Sequence, residues 1–222
     1  GQHHEENHAF LAYDTTLHVP LIIQVPGEKK GNRVSERVGT VDIVPTILDL
    51  LGVKAPTSVQ GRSLVSLIDQ LEEENPGNRR RYYSESMSPR FSHNFGELRA
   101  LYWGPYKLIH GPRSELFNVE ADPEELNDLI DSETELSAEM LTGLADFVQQ
   151  HASDVATGAT HDFDPAVRRR LAALGYLSTG KGSDATVAEA LRTDGIAPQD
   201  RVSEKNLEQR LRQLLSKGQF KM

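Results

Sequence analysis

The chain has 222 residues, a formal net charge of −9, no cysteine and a hydrophobic content of 37%. The negative charge argues against a nucleic-acid partner, because phosphate contacts require clustered lysine and arginine. The absence of cysteine excludes disulfides and thiolate metal sites in this chain. No apolar run approaches the roughly 18–20 residues that a membrane span requires, so no span is expected.

Two apolar segments dominate the first third of the sequence. Residues 18–27, HVPLIIQVPG, combine β-branched and leucine residues with a closing Pro-Gly, which predicts a buried strand followed by a turn. Residues 40–53 predict a helix that Thr40 caps and Gly52 ends. Its apolar face comprises Val44, Ile47, Leu48 and Leu51. A buried strand followed by an amphipathic helix is typical of half of a parallel α/β unit.

Shorter elements surround these two segments. We expect a short helix over residues 10–16 and a second over residues 63–71. Residues 72–81 combine acids, Asn-Pro-Gly and three arginines, which is typical of a solvated connection between subdomains. The first region of the chain is therefore expected to end near residue 78.

The pattern changes to short strands from residue 81 onward. Strands predicted at 81–85, 98–103, 106–109 and 115–118, with a tight turn at Gly104-Pro105, indicate a small antiparallel sheet. Asp122 and Pro123 predict the start of a helix. A later helix, over residues 133–151, is expected to cover the sheet. The side chains expected on its inner face are Leu136, Met140, Leu144, Phe147, Val148 and His151.

The remaining sequence predicts a helical extension. A capped helix is expected over residues 162–176, a Gly- and Ser-rich linker over 177–186, and an amphipathic helix over 203–217. The apolar residues of that last helix are Leu207, Leu211, Leu214 and Leu215. We therefore expect three regions. They are residues 1–78 as part of an α/β domain, 79–152 as the sheet with its helix, and 153–222 as the extension.

Several blocks of this sequence resemble, in order, the C-terminal part of sulfatases of the alkaline phosphatase superfamily. The blocks are YDTTLHVPLIIQVPG, VDIVPTILDLLGV, QGRSLVSLI, RRYYSES, ELRALYWGPYKLIHG and SELFNVEADPEELNDLI, ending near residue 129. The resemblance implies an α/β fold class. It consists of the C-terminal part of an alkaline-phosphatase-like α/β domain, a small antiparallel α+β subdomain and C-terminal helices. A shorter resemblance, carried by DPAVRRRLAALGY and LLSKGQF, is to sulfatases joined to a tetratricopeptide array.

The resemblance implies an enzyme that hydrolyses sulfate esters with a formylglycine nucleophile and calcium. No C/S-x-P-x-R motif for formylglycine occurs in this chain, and the family's calcium ligands precede the matching segment. Both are therefore expected upstream, with no metal bound by this chain alone, which we expect to be inactive by itself. The implied partner is a sulfated small molecule or carbohydrate. The implied location is periplasmic or otherwise extracytoplasmic.

Two other functions remain open from the sequence. A phosphoester or phosphonoester hydrolase of the same superfamily would share these blocks, because the two classes differ mainly in the upstream half. The chain could instead be a non-catalytic interaction module that binds a protein partner through its C-terminal helices. An Asp-His-Gly just upstream would favour the enzymes over the interaction module.

His8 is the candidate catalytic residue. In NHAFLAYD it occupies the position where the resemblance implies a lysine or histidine that contacts the sulfate or the leaving oxygen. A cation there would stabilise charge that develops as the S–O bond breaks. An imidazolium could also protonate the leaving alcohol, since histidine titrates in the useful range. From composition alone, a surface histidine in a polar loop is the simpler interpretation.

Other histidines carry weaker hypotheses. His93 lies in a predicted loop where related enzymes often place substrate-facing side chains, so it is a candidate substrate-binding residue, with an ordinary loop histidine as the alternative. His3, His4 and His8 invite a transition-metal interpretation, because His4 and His8 are one helical turn apart. The alternative is a flexible polar segment, and we predict no metal ligand in this chain.

Overall fold

The computed structural model describes residues 2–6, 8, 10–25, 33–69, 80–152, 164 and 191–216. The described helices are α1 (Asp14–Leu17), α2 (Ile43–Leu50), α3 (Val65–Ile68), α4 (Ser88–His93), α5 (Thr134–Ala152) and α6 (Val202–Ser216). The strands are β1 (Arg81–Ser86), β2 (Leu98–Trp103), β3 (Tyr106–His110) and β4 (Glu115–Asn118). Contacts among these residues define two compact units. Unit 1 lies within Gly1–His18, Tyr83–Leu101 and Pro105–Met222, and unit 2 within Val19–Tyr82 and Tyr102–Gly104.

The four strands form one sheet in the order β1-β2-β3-β4. β3 and β4 are antiparallel, with Tyr106 opposite Asn118 and Ile109 opposite Glu115. β2 and β3 are joined by a two-residue turn in which Gly104 has a φ of 61°. Only antiparallel neighbours can be joined by so short a link. The predicted turn is confirmed, and the ends of the predicted strands are confirmed to within one residue.

Helix α5 packs against β3 and supplies one wall of the unit 1 core. Met140 and Leu144 of this helix are almost completely buried. The sheet contributes Leu98, Leu101, Leu108, Ile109 and Leu116 to the same buried set. Full burial of one such side chain contributes about 1.5–3 kcal/mol. The helix predicted over residues 133–151 is confirmed, and its predicted inner residues are buried or half-buried.

The helix start predicted at Asp122 is wrong. Residues 119–127 form turns, and the Asp122 carboxylate accepts the Asn127 N–H at 2.7 Å. Glu125 adopts a φ of 54°, in the left-handed region, and its side chain is 2% exposed. A helix through these residues would require a negative φ at Glu125. The backbone conformation here is therefore set by the burial of the Glu125 side chain and not by the local capping signal.

In unit 2, α2 ends as the sequence predicts. Gly52 follows the helix with a φ of 67°, and the Val53 N–H donates to the Leu48 carbonyl at 2.8 Å. This is the hydrogen bond of a Schellman ending, which favours glycine because its backbone reaches positive φ without strain. The C-terminal prediction at Gly52 is confirmed.

Asp42, rather than the predicted Thr40, occupies the N-cap position of α2, and its side chain makes no capping hydrogen bond to that helix. A 3₁₀ turn, Thr40–Asp42, precedes the helix, and the Asp42 carboxylate accepts the Gly39 N–H at 3.0 Å. The same carboxylate accepts the Arg62 N–H at 2.8 Å and the Tyr82 hydroxyl at 2.7 Å. Asp42 is 2% exposed, so it organises unit 2 from the inside. Thr40 lacks this role because the helix begins one 3₁₀ turn later.

Three of the four residues of the predicted apolar face of α2 are turned to solvent, and the fourth, Leu48, is half-buried. Val44, Ile47 and Leu51 are 53%, 50% and 70% exposed, whereas Pro45 and Thr46 on the other side are buried. The spacing of the apolar residues was therefore identified correctly, but among the described residues nothing covers them. The side of the helix that is buried carries Pro45 and Thr46, and the Thr46 hydroxyl accepts the Leu64 N–H at 2.9 Å.

The strand predicted over residues 18–27 is wrong for the residues that the structure describes. Residues 18–25 form no strand, and Ile22 is 91% exposed. A strand needs a neighbour to satisfy its backbone groups, and the described sheet pairs only β1 to β4. The two short predicted helices appear as α1 and α3, both shorter than expected, with Phe10 and Leu11 buried ahead of α1.

The C-terminal helix predicted over residues 203–217 is present as α6. Leu207, Leu211 and Leu215 are exposed and Leu214 is half-buried, while the buried residues of the helix are Val202, Lys205 and Asn206. The predicted helix over 162–176 and linker over 177–186 lie outside the described residues, apart from Asp164. In the described part of the chain, no helix is both long and apolar enough to cross a membrane. The predicted region borders near residues 78 and 152 stay predictions.

Candidate functional site

The candidate catalytic histidine lies in the His8 segment, which we define as residues 2–6, 8, 10 and 11. Glu5 in this segment is 5% exposed. Its carboxylate oxygens accept the N–H groups of Phe10 and Leu11 at 3.1 and 3.2 Å. These bonds join the backbone that follows His8 to a side chain that precedes it. His8 therefore lies between two parts of the backbone that the Glu5 side chain joins.

Helix α6 makes polar contacts with the His8 segment. Lys205 Nζ lies 3.0 Å from Glu5 Oε1, and both side chains are buried. The Asn206 amide donates to the His4 carbonyl at 2.6 Å and accepts the Glu6 N–H at 3.3 Å. One helix near the end of the sequence thus holds both the Glu5 carboxylate and the backbone on either side of it.

His8 itself is exposed and lines a shallow surface depression of about 310 Å³. The other lining residues, Gln209, Arg212 and Gln213, all belong to α6. Arg212 also donates to Glu208 through Nε at 2.9 Å. The imidazole is therefore accessible to a ligand from solvent, and a guanidinium and two amides stand beside it. Such groups can bind the oxygens of an anionic or hydroxyl-rich molecule.

His93 is placed at the end of α4, and its side chain is 20% exposed. Its Nε2 lies 2.7 Å from Glu208 Oε2, and its ring packs on Phe10 and Phe95. The hydrogen bond from His93, with a smaller effect of Arg212, lowers the pKa of Glu208 below its usual value. In this arrangement His93 anchors α6. Its predicted contact with substrate stays a prediction.

The other N-terminal histidines take separate positions. The His3 ring stacks on Tyr13 with ring centroids 3.6 Å apart, and its Nε2 lies 2.9 Å from the Glu124 carbonyl oxygen. His4 has a φ of 61° and does not continue a helix toward His8. In the ranges that the structure describes, no group of three or more His, Asp or Glu residues is arranged to hold a metal ion.

A buried charge cluster fixes the chain just after the His8 segment. Lys107 is fully buried and lies 2.9 Å from Asp14 Oδ1 and 2.6 Å from Glu125 Oε1. Glu125 Oε2 also accepts the Asp14 N–H at 2.6 Å. Burial raises the pKa of Glu125, an effect that Lys107 partly offsets. Because Asp14 begins α1, the cluster ties the start of that helix to β3.

The sequence did not identify Glu5, Lys205 or Asn206 as parts of this site. Lys205 and Asn206 precede the first leucine of an amphipathic helix, and such polar residues ordinarily face solvent. Glu5 lies in a polar stretch without periodicity. Because the contacts join residues 200 positions apart, no local sequence signal could have revealed them.

Comparison with known proteins places these elements in a family. A family model described as N-sulphoglucosamine sulphohydrolase, C-terminal, matches residues 2–150. The chain belongs to this family. The matched range contains His8, His93, Lys107 and the whole four-stranded sheet, so the described fold is the α/β fold of the C-terminal region of this sulphohydrolase family.

Curated relatives of this sulphohydrolase region carry sulfatase names. Arylsulfatase K of Homo sapiens is 29% identical over 132 residues, covering 57% of this chain and 25% of the relative. N-acetylglucosamine-6-O-sulfatase of Bacteroides thetaiotaomicron is 30% identical over 136 residues, covering 58% of this chain and 24% of the relative. The chain thus spans about a quarter of the length of the curated relatives it matches.

Two solved structures are also similar to this sulphohydrolase region. The structure of BT4656 in complex with its substrate D-glucosamine-2-N,6-O-disulfate is 23% identical, covers 51% of this chain and 24% of that chain, and has a TM-score of 0.44. The phosphonate monoester hydrolase from Silicibacter pomeroyi is 23% identical, covers 66% of this chain and 31% of that chain, and has a TM-score of 0.49.

Proposed function

We propose that the chain is the C-terminal portion of a sulfatase whose nucleophile and calcium ligands lie upstream of it. The observation that carries the proposal is the match of residues 2–150 to the C-terminal region of a sulphohydrolase family. The names of the curated relatives support sulfate-ester hydrolysis as the reaction. One of these relatives is named for a sulfated sugar, which supports a sulfated carbohydrate as the substrate class.

In this proposal, His8 acts on the ester oxygen that leaves with the alcohol. Its imidazole is exposed in the depression beside α6, so an ester oxygen can reach it. As the S–O bond breaks, negative charge develops on that oxygen. A protonated imidazole can stabilise the charge by hydrogen bonding or transfer its proton to complete the alcohol. Each role requires the ring to be held in place while remaining open to substrate.

Calcium and formylglycine are part of this proposal only through residues outside the chain. The described residues offer no cluster of three or more His, Asp or Glu that suits a metal, and calcium requires about six oxygen ligands. The residues that the structure describes therefore do not fit a calcium site. No chemical step assigned to this chain depends on the metal.

We also propose that residues 153–222 begin an extension of the tetratricopeptide type. The exposed leucines of α6, Leu207, Leu211 and Leu215, support this part of the proposal. A repeat helix buries its apolar face against the next repeat and cannot do so alone. Such an extension would supply a protein-binding surface beside the enzyme.

The test uses the enzyme that carries this chain together with its preceding domain. We expect turnover of an aryl sulfate and of glucosamine 6-sulfate, with a phenylphosphonate monoester as the competing substrate. His8→Ala should lower the catalytic rate by roughly 10²–10⁴-fold. His18→Ala is the matched control, because His18 is exposed and lies outside the depression. The isolated 222-residue chain should release no sulfate, even with added calcium.

Three outcomes would contradict the proposal. Preferential hydrolysis of the phosphonate would favour the phosphonoester hydrolase. Turnover by the isolated chain that is lost on a substitution within it would show that the chain contains its own nucleophile. A His8→Ala enzyme with unchanged turnover would leave His8 outside the chemistry.

A further inference from the structure

Helix α6 approaches the candidate site from a different part of the sequence. We infer that α6 is the positioning element of His8, and that Lys205 and Asn206 are the positioning residues. The inference rests on the proposed function of His8. It adds a role for residues outside the range that the family model matches, because α6 begins at Val202 and the match ends at residue 150.

The first support is that the chain leading into α6 is itself anchored in unit 1. The Gly96 N–H donates to the Ile196 carbonyl at 2.8 Å, and His110 Nε2 lies 3.0 Å from the Leu191 carbonyl oxygen. Arg90 pairs with Asp194 at 3.1 Å.

One further contact lies immediately before the helix. The Gln199 amide donates to Glu115 Oε2 of β4 at 2.9 Å. Helix α6 therefore leaves from points fixed on the sheet and on α4. A helix anchored in this way can hold the residues that it contacts in a fixed position.

Lys205 controls the side of the segment that follows His8. Glu5 accepts the N–H groups of Phe10 and Leu11 through the two oxygens of its buried carboxylate. A buried carboxylate is costly without a counter-charge, and Lys205 Nζ supplies one at 3.0 Å. The ammonium also lies 5.7 Å from the centre of the Phe10 ring. Removing Lys205 should therefore loosen the backbone at Phe10 and Leu11.

Asn206 controls the side that precedes His8. Its amide satisfies the His4 carbonyl and the Glu6 N–H, two backbone groups that flank Glu5. Four backbone groups of the His8 segment are therefore held by side chains. Two of them bond to Asn206, and two bond to Glu5, whose charge the adjacent Lys205 neutralises. Because a displacement of about 1 Å can lower a catalytic rate by about 10²-fold, such fixation matters for a proton donor.

The test is a double-mutant cycle in the enzyme that carries this chain. Asn206→Ala should lower kcat by about 10- to 100-fold and leave KM nearly unchanged, because it displaces His8 without removing a substrate contact. In a His8→Ala background the same substitution should have no further effect. Asn206→Asp, which keeps an acceptor for the Glu6 N–H, should give an intermediate loss. Ser203→Ala, on the exposed side of α6, is the matched control and should match wild type.

A second readout needs no activity. In the enzyme that carries this chain, Lys205→Met should accelerate hydrogen exchange of the Phe10 and Leu11 amides by at least about tenfold while β3 amides remain slow. Lys54→Met is its control, because Lys54 is exposed and lies in unit 2. If Lys205→Met fails to fold, Asn206→Ala replaces it, because this substitution removes no charge. Hydrogen exchange is then measured at the backbone amide of Glu6.

The outcomes separate this inference from the proposed function. Unchanged turnover in His8→Ala would overturn both. A large loss in His8→Ala, combined with an Asn206→Ala effect that is additive or appears in KM, would overturn the positioning role alone. Unchanged exchange at Phe10 and Leu11 in a folded Lys205→Met chain would also overturn it.

Discussion

Lys107 Nζ lies 2.6 Å from Glu125 Oε1, although the lysine side chain is fully buried. Asp14 supplies a second carboxylate at 2.9 Å. Two acids and one base in a buried site are tolerated because the ammonium is shared and Glu125 also accepts the Asp14 N–H. The pair joins β3 to a turn and, through Asp14, to the start of α1.

Lys107→Met should destabilise the chain strongly. It removes the cation and leaves two carboxylates buried without a counter-charge, which costs about 3–5 kcal/mol. The free energy of unfolding, measured by denaturant titration of the 222-residue chain, tests this value. Lys54→Met, at an exposed lysine, should change it by less than about 0.5 kcal/mol. A Lys107→Met chain as stable as that control would show that the buried cluster contributes little.

Asp42→Ala should weaken unit 2. The substitution leaves the Gly39 and Arg62 N–H groups and the Tyr82 hydroxyl without their acceptor. The expected cost is about 3 kcal/mol, the range for hydrogen bonds to a buried charged group. Hydrogen exchange of the α2 amides measures the effect locally. The control, Asp69→Ala, removes an exposed carboxylate, and equal α2 exchange in the two variants would refute the role of Asp42.

The contacts of Asp194 with two arginines predict that the stability of the folded chain depends on pH. Hydrogen bonds from Arg192 and then Arg90 lower the pKa of Asp194 from its ordinary 3.8 to about 2. Because the folded-state pKa is depressed, the stabilisation is present above pH 3.8 and is lost as the pH falls toward 2. A carbon-13 NMR titration of the carboxyl group tests the shift. Arg192→Ala should raise this pKa, whereas Arg201→Ala should not, and an unshifted wild-type value would contradict the prediction.

Residues 18–25 should exchange their amide hydrogens rapidly. They form no strand and are mostly exposed, whereas β2 and β3 lie inside the sheet with buried side chains. Protection spans from near zero in open segments to the full stability in core strands, so a difference of about 10³-fold or more is expected. Mass spectrometry of the exchanging chain provides the measurement. Slow exchange across residues 18–25 would mean that a neighbour covers them.

The sequence predicted elements whose causes are local. The four strands and the Gly104-Pro105 turn follow from alternation and turn chemistry within a few residues. The end of α2 at Gly52 depends on one residue that tolerates positive φ. In these places the local preference and the final structure agree.

The sequence failed where a distant partner decided the outcome. Asp122 and Pro123 carry a good helix signal, but Glu125 is drawn to Lys107 and adopts a positive φ. His93 looked like a free loop side chain, although Glu208, 115 residues later, binds it. The His8 position could be proposed by resemblance, but the contacts that hold its segment come from α6 and could not.

The contact between Glu5 and Lys205 has a consequence for synthesis of the protein. The two residues are 200 positions apart, and ribosomes add about 5–20 residues per second. About 10–40 s therefore separate the appearance of the carboxylate from that of its ammonium partner. During this interval the sheet can form, because its strands are close in sequence. A nascent chain should acquire its fixed His8 only after α6 leaves the ribosome, so translation itself delays the assembly of the site.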